Sequence, residues 1–483
     1  MLTAVSALLL LPTISAWAHP LGNFTINLYS GIHVVPGEIR VDYVVDMAEI
    51  PTFQAMPSID TNGDAQASDA ERAAWASTEA PQLVANLTLV VGETPVHLSV
   101  RSAQMTFRDG QGGLPILRFE GSFAAAAPPQ GSITYRDENF PGHIGWREIT
   151  AAGEGGSALA GSTVPTQSVS DALLSYPQDL LSSPLNVTSM SASYQPGTSA
   201  AAPAGGRNTD AAATSSAGRP LVEGGPFAAL IEQHGVWLAL LGFVLAVAFG
   251  AWHALLPGHG KTLMAAYMVG SGARVRQAVA VGSAVAIMHT ASVLALGMLV
   301  IALQATFRPE QLYPWLGLAS GLVALGLGVY LLIARLTSWS ASRRPVDELG
   351  VDEHGPIHEH PHASHPHPHP HPHRNELPDG APLSAKGLFA LALAGGILPA
   401  PSALVVLLGA INSHRAAYGL GLVLAFSLGL AVALIGVGLG ALRAREALAR
   451  RLSTFWGRLV PVVSAGAIVG VGAFLTARGV AGI

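Results

Sequence analysis

Hydrophobic and polar positions follow two different rhythms on either side of Gly225. C-terminal to it come six apolar stretches, centred on residues 236–256, 278–303, 313–334, 387–411, 417–441 and 459–477. Each is long enough to cross a hydrocarbon layer of roughly 30 Å as a helix. N-terminal to Gly225 the apolar residues form short runs bounded by Gly, Pro and Asp: Phe24–Tyr29, Gly37–Asp46, Leu87–Val91, Pro95–Val100, Ile116–Phe123 and Ser132–Arg136. Such runs predict strands, and several short ones in sequence predict a β-rich, sandwich-like domain.

Residues 1–18 hold an apolar run from Ala7 to Ile14 and end in Ala16-Trp17-Ala18, the pattern of a signal peptide cleaved before His19, although no Lys or Arg precedes the run. The expected organisation is then a signal peptide at 1–18, an extracytoplasmic β-rich domain at 19–195, and a linker at 196–225 rich in Ala, Gly, Ser, Pro and Thr. A first three-helix membrane half follows at 226–336, a connecting loop at 337–385, and a second three-helix half at 386–483.

Export of the first domain sends the first span inward. Loops then expected inside carry Lys261, Arg274, Arg276, Arg335, Arg343, Arg344, Arg374, Lys386, Arg443, Arg445, Arg450, Arg451 and Arg458. Those expected outside carry only Arg308, Arg415 and Arg478. Cytoplasmic loops collect Lys and Arg, so this bias predicts a multi-pass plasma-membrane protein with the N-terminal domain outside and the 337–385 loop in the cytoplasm. Leu256-Pro257-Gly258 in the first half faces Leu398-Pro399-Ala400 in the second, each followed by a small-residue helix. Three spans per half is an odd number, so a duplicated unit would insert as two inverted repeats, with a binding site near the midplane where the Pro-interrupted segments meet.

Composition narrows the chemistry. Half the residues are apolar and 11% are charged, lean for a soluble protein, and many of the 54 glycines fall in the apolar half, where small residues let helices approach closely. There are no cysteines, which excludes disulfides, thiolate metal sites, iron–sulfur clusters and thiol electron relays. The net charge of −5 comes without a broad basic face, so the lipid bilayer, not nucleic acid, is the expected partner. Nothing in the sequence specifies a protein partner or an oligomeric state.

The sharpest motif is His253-Ala-Leu-Leu-Pro257-Gly258-His259-Gly260-Lys261. In a regular helix six residues turn through about 240°, so the two imidazoles would not share a face. Pro257, Gly258 and Gly260 interrupt that regularity and permit backbone and side chains to converge, as Pro399 and Pro401 do in the second half. A second span adds His289-Thr290. Imidazole suits nickel, cobalt, zinc and copper, and intramembrane ionisable groups usually serve function, so His253, His259 and His289 are the candidate metal ligands. The competing reading is helix-packing histidines bonded to carbonyls. Met264, Met268 and Met288 offer soft ligands but read first as packing.

Enzyme chemistry is not expected. A phosphate loop ending in Gly260-Lys261-Thr262 would need glycine where Leu255 stands, and an intramembrane metalloprotease would need a carboxylate that no span provides. The 337–385 loop instead carries His354, His358, His360, His362, His365, His367, His369, His371 and His373, alternating with proline from His365 onward. Such an extended run of imidazoles can collect transition metals without choosing sharply among them. In the N-terminal domain, Asp60, Asn62, Asp64, Gln66, Ser68 and Glu71 occupy the positions of a twelve-residue calcium loop, with Ala65 where the turn glycine belongs. Two readings stand there: Ca2+ binding, or a polar turn leading into an acidic helix. No prosthetic group is expected.

With these motifs the membrane half, about residues 235–478, resembles the NicO-type nickel/cobalt efflux transporters. The features that match are the His253–Lys261 motif with Tyr267 downstream, His289-Thr290, the His-rich loop, and Gly396-Ile-Leu-Pro399-Ala-Pro401-Ser402-Ala403-Leu404. The resemblance implies a carrier of Ni2+ and Co2+, usually outward, with His253, His259 and His289 as ligands. Many members carry cysteine where Ala400 stands. High-affinity nickel uptake permeases share the His spacing but have an acid where Gly258 stands, which leaves uptake as the alternative direction. A membrane metal sensor that transports nothing is the alternative from another class.

Overall fold

A computed structural model of the chain describes residues 20–64, 66–181, 183–197, 236–255, 259–271, 274–304, 307–341, 384–451 and 454–481. The signal peptide, nearly all of the linker, Pro257, Gly258 and all nine histidines of the central loop lie outside the described residues. The described parts form two compact units. One takes Met1–Ala246, Val293–Glu310 and Ala400–Leu424, the other Val247–Ser292, Gln311–Pro399 and Ala425–Ile483.

The N-terminal part of the first unit contains two five-stranded sheets. Strands β1 (Ile26–Val35), β2 (Glu38–Met47), β5 (Ser99–Asp109), β6 (Pro115–Ala126) and β8 (Arg147–Gly153) form one, in the order β5-β6-β2-β1-β8. Strands β3 (Leu87–Val91), β4 (Thr94–Val96), β7 (Gly131–Asp137), β9 (Ser157–Ala160) and β10 (Ser189–Pro196) form the other, in the order β4-β3-β7-β10-β9. All pairings are antiparallel except β1 with β8.

A single apolar cluster draws Ile32, Val41, Phe119 and Phe123 from the first sheet and Leu89, Ile133, Met190 and Tyr194 from the second, as two packed inner faces should. Polar bonds cross the same core: the Ser30 and Tyr135 hydroxyls lie 2.9 Å apart, and Tyr43 donates to Asp137 Oδ2 at 3.0 Å. Burial raises the Asp137 carboxyl from its ordinary value, and donation from Asn139 N and the Tyr43 hydroxyl opposes that rise.

Two helices, α1 (Glu49–Ile59) and α2 (Asp69–Ala85), interrupt the strands; the run expected at Pro95–Val100 divides between β4 and the start of the longer β5, and β8, β9 and β10 lie beyond the six runs read from the sequence. Helix α2 packs through Trp75, Ala76, Ala80 and Leu83, with Trp75 edge-on to Phe119. The segment that fits a calcium loop joins α1 to α2. Its carboxylates turn onto its own amides: Asp60 Oδ1 accepts from Gly63 N, Asp64 Oδ1 from Gln66 N, and Glu71 Oε1 from Thr61 N. Ser68 and Glu71 form a capping box at the start of α2. Among the described residues no three His, Asp or Glu side chains are grouped to hold a metal, and the loop is seen here as a polar turn entering a capped helix.

The membrane part contains α3 (Val236–Leu255), α4 (His259–Ser271), α5 (Val275–Leu303), α6 (Pro309–Ala341), α7 (Ala385–Gly396), α8 (Pro401–Asn412), α9 (Ala416–Arg451) and α10 (Thr454–Ala481). Among the described residues five of these are long and apolar enough to cross a bilayer, and α7 with α8 passes the same test only as a pair, bent by 70° at its break: a broken span or a re-entrant loop. This is a polytopic helical membrane protein with a β-rich domain in front. Each half runs in the same order: a helix, a break, a short helix, and two long helices. The halves are unequal in one respect. Helix α3 has 20 residues and crosses alone, whereas α7 has 12 and needs α8.

Glycines at heptad spacing set close helix contacts in the second unit. Gly321 and Gly328 of α6 lie against Thr476 and Val469 of α10, while Gly472 and Gly479 of α10 lie against Leu325 and Leu318 of α6. An antiparallel pair thus approaches backbone to backbone along both seams, the arrangement that replaces hydrophobic driving force inside lipid.

The capping box makes a testable point. The Ser68 amide and hydroxyl, with Thr61 and Asn62, hold the Glu71 carboxyl down at about 2 from 4.5. Its contribution to stability is therefore complete above the ordinary carboxylate range and is lost as pH falls through about 2. Ser68→Ala should move the Glu71 midpoint upward toward 4.5 and lower the acid resistance of α2, read by a carboxyl-resolved NMR titration and by amide exchange across residues 69–85.

Candidate metal site in the membrane helices

Two of the three candidate ligands come together. His253, half-buried near the end of α3, and His289, buried in the middle of α5, stand with ring centroids 6.1 Å apart. Phe426 of α9 closes the group, 5.6 Å from His253 and stacked on His289 at 6.1 Å. His259 opens α4 directly after the break. Its side chain, with those of Gly260 and Lys261, lies outside the described residues.

Close backbone approach brings α3 and α9 together here. A Cβ on Gly250 would fall 1.9 Å from the Phe426 carbonyl oxygen, and one on Gly429 would fall 1.9 Å from that of Val247. No side chain larger than hydrogen fits at either position. Immediately beside the histidine pair, the Thr290 hydroxyl donates to Ala286 O at 2.8 Å and is hydrogen-bonded to Ser427. That bond ties α5 to α9 one residue from each of His289 and Phe426.

The second break is satisfied by side chains. Helix α7 ends at Gly396, and its last carbonyls have no partner in the next turn. Ser320 donates to Ala394 O at 2.6 Å, Ser292 to Gly396 O at 3.3 Å, and Tyr313 to Pro399 O at 3.3 Å. Ser292 also bonds His289 O at 2.8 Å, so one hydroxyl links the broken segment to the histidine helix. Pro401 occupies the first turn of α8, where its missing amide costs nothing.

Sequence reasoning named His253 and His289, whose rings lie side by side here, and the Pro399 break, and it did not name Phe426, Ser427, Ser292, Ser320 or Tyr313. The serines were detectable as single hydroxyls in otherwise apolar spans. Nothing distinguishes Phe426 in the sequence from a phenylalanine facing lipid. Met264 and Met268 pack in the apolar cluster of the second unit, with Tyr267 between them in sequence and buried too.

Residues 238–376 match the family model NicO, described as high-affinity nickel-transport protein. The nickel/cobalt efflux system RcnA of Escherichia coli K12 is 33% identical over 277 residues, which are 53% of this chain and 98% of RcnA. The chain belongs to the NicO family. RcnA of Shigella sonnei is 31% identical over 289 residues, again 53% of this chain and 98% of the relative. A Methanocaldococcus jannaschii protein named among the nickel/cobalt efflux systems is 27% identical over 241 residues, 50% of this chain and 94% of its own length. No solved structure matches the chain. The NicO match begins in α3, so the β-rich domain is an addition in front of the NicO core.

In this NicO protein the crossing at Gly250 should be intolerant of bulk. Gly250→Val places two methyl groups into the Phe426 carbonyl and should cost about 1–3 kcal/mol, as overpacking of tight cores does. A lowered unfolding midpoint in detergent, together with loss of Ni2+ binding, is the expected result. Gly466→Val, with open space around its Cβ, should change neither.

Proposed function

We propose that this chain carries Ni2+ and Co2+ out of the cytoplasm, with His253, His289 and His259 as the imidazoles that hold the ion in transit. The observation that carries this reading is the pairing of His253 and His289 from separate helices. At metal–nitrogen distances of about 2 Å, two rings sharing one ion have centroids roughly 5 Å apart at a tetrahedral angle and roughly 6.5 Å apart when opposite. The observed 6.1 Å falls within that span. His259 follows the break in the same motif and would supply a third nitrogen.

The cytoplasmic-loop histidines would gather the ion for export, and the names of the RcnA relatives favour the outward direction. Orientation is supported by the basic-residue bias and by Gln54 and His143 of the N-terminal domain reaching residues 304–310, a segment the same topology puts outside. Two or three neutral imidazoles suit a carrier: they select for borderline-soft ions, yet hold them less tightly than a carboxylate cage would.

The test is the nickel and cobalt content of metal-loaded cells lacking their own exporter. Cells making the intact protein should hold less of both metals than cells with empty vector, and His253→Ala or His289→Ala at equal membrane abundance should restore the vector level. Higher content with the same histidine dependence would reverse the direction to uptake. No difference at any metal load would leave a sensor that transports nothing.

A further inference from the structure

Helix α8 has 12 residues, about 18 Å of helix, which is too short to cross a bilayer and is joined to α7 only through the Pro399 break. Within the first unit it is nonetheless buried at residues 403–405 and 407–410, nearly all round. On one side Leu404 and Leu407 meet Gly297 of α5, and on another Ala410 meets Gly419 of α9. The remaining cover comes from the N-terminal domain.

Most of that cover is one turn, Gln111–Gly113, with α1 and Leu114 beside it. A Cβ on Gly409 of α8 would stand 2.0 Å from the Gly112 carbonyl oxygen, and a Cβ on Gly112 would stand 2.9 Å from Val405 Cγ1. Gly112 also has φ +62°, so two independent requirements select glycine there. The turn is braced from behind. The fully buried carboxylate of Glu49 accepts from Gln111 N at 2.9 Å, and Asn23 Nδ2 donates both to Glu49 Oε2 at 3.0 Å and to Gln111 Oε1 at 3.1 Å. Further attachments lie at residues 304–310. Gln54 donates to Gln304 O and Phe307 O, Arg308 donates to Pro141 O, and His143 Nδ1 lies 2.7 Å from the buried Glu310 Oε1.

We infer that the N-terminal domain seats the free half of the broken span, and that Gly112, Gly409 and the Asn23–Glu49 brace are positioning residues for transport. The inference rests on the transport function proposed above. A buried carboxylate, an amide side chain and two glycines are spent on one turn that packs against α8. The seat fixes where α8 begins, and therefore the geometry of residues 397–400, without touching the metal.

The absence of cysteine makes the test direct. Ala400→Cys in the full-length protein gives a single thiol at the break, buried at 4% exposure. Its rate of reaction with N-ethylmaleimide in membranes is measured alone, with Gly409→Leu, and with Asn23→Ala, a change within the N-terminal domain that removes the donor to Glu49 and Gln111. Both second changes should raise the labelling rate several-fold and lower the maximal rate of Ni2+ transport several-fold. KM for Ni2+ and the labelling of Ser77→Cys, an exposed reference thiol on α2 outside the membrane helices, should be unchanged.

Unchanged labelling at Ala400→Cys in both variants at equal abundance would overturn the inference. So would raised labelling with a wild-type transport rate, or a rise in KM that tracked the loss. If the intact chain moves no metal, the transport proposal fails by itself, and the labelling comparison still decides whether the domain seats α8.

Discussion

Every backbone amide and carbonyl inside a bilayer must find a partner within the protein, because lipid offers none and each orphan costs several kcal/mol. A NicO chain that interrupts its helices therefore incurs the cost of unpaired carbonyls at each break. Here the cost is met side chain by side chain at the second break, by Ser320 on Ala394, Ser292 on Gly396 and Tyr313 on Pro399. Those three hydroxyls come from α5 and α6. The break is stable only where both helices already stand beside α7, which makes the interrupted segment a product of the bundle and not of its own sequence.

The same dependence reaches the histidines. Ring pairing of His253 with His289 needs α3 and α5 close to α9, and the approach is set by Gly250, Gly429 and the Thr290–Ser427 hydrogen bond. Water drives none of this, since lipid tails are as apolar as leucine. Contact between backbones and a few interhelical hydrogen bonds supply the association instead. The spacing of the two imidazoles is therefore held by residues outside the pair, and the most consequential of them are glycines.

Much of the membrane half was legible because its signals are long. Apolar runs of twenty or more residues have few alternatives to a spanning helix, and Pro257, Pro399 and Pro401 mark interruptions by what they cannot do. The β-rich domain was legible as a class and only in part as elements. Helix α1 is 11 residues with Pro51 and Pro57 in it and no clean apolar stripe, so tertiary contacts such as Thr52 with Met47 O and Leu117 N decide its helicity. Strand β10 alternates Met190, Ala192 and Tyr194 inward against serines outward, a composition that reads as loop until the neighbouring strands β7 and β9 are in place. Phe426 was invisible for a different reason. An apolar helix in lipid is apolar on every side, and only packing determines which face turns toward a histidine.

Three glutamates are buried among the described residues of the first unit, and their partners argue for a division of labour. Glu49 accepts from Gln111 N and Asn23, and Glu148 accepts from Val169 N, Trp146 Nε1 and the Ser170 hydroxyl. Both are spent on holding turns, since a buried carboxylate left without donors would cost more than the fold gains from it. Glu310, in the first turn of α6, meets His143 and fastens the N-terminal domain to the start of a membrane helix. None of the three is a ligand set for a cation in transit. Anionic oxygen is thus used where geometry must be fixed, and on the proposed function imidazole is used in the spans where an ion would be held and then released. A carboxylate among His253, His289 and Phe426 would deepen the binding well in low dielectric and slow the release on which a carrier depends.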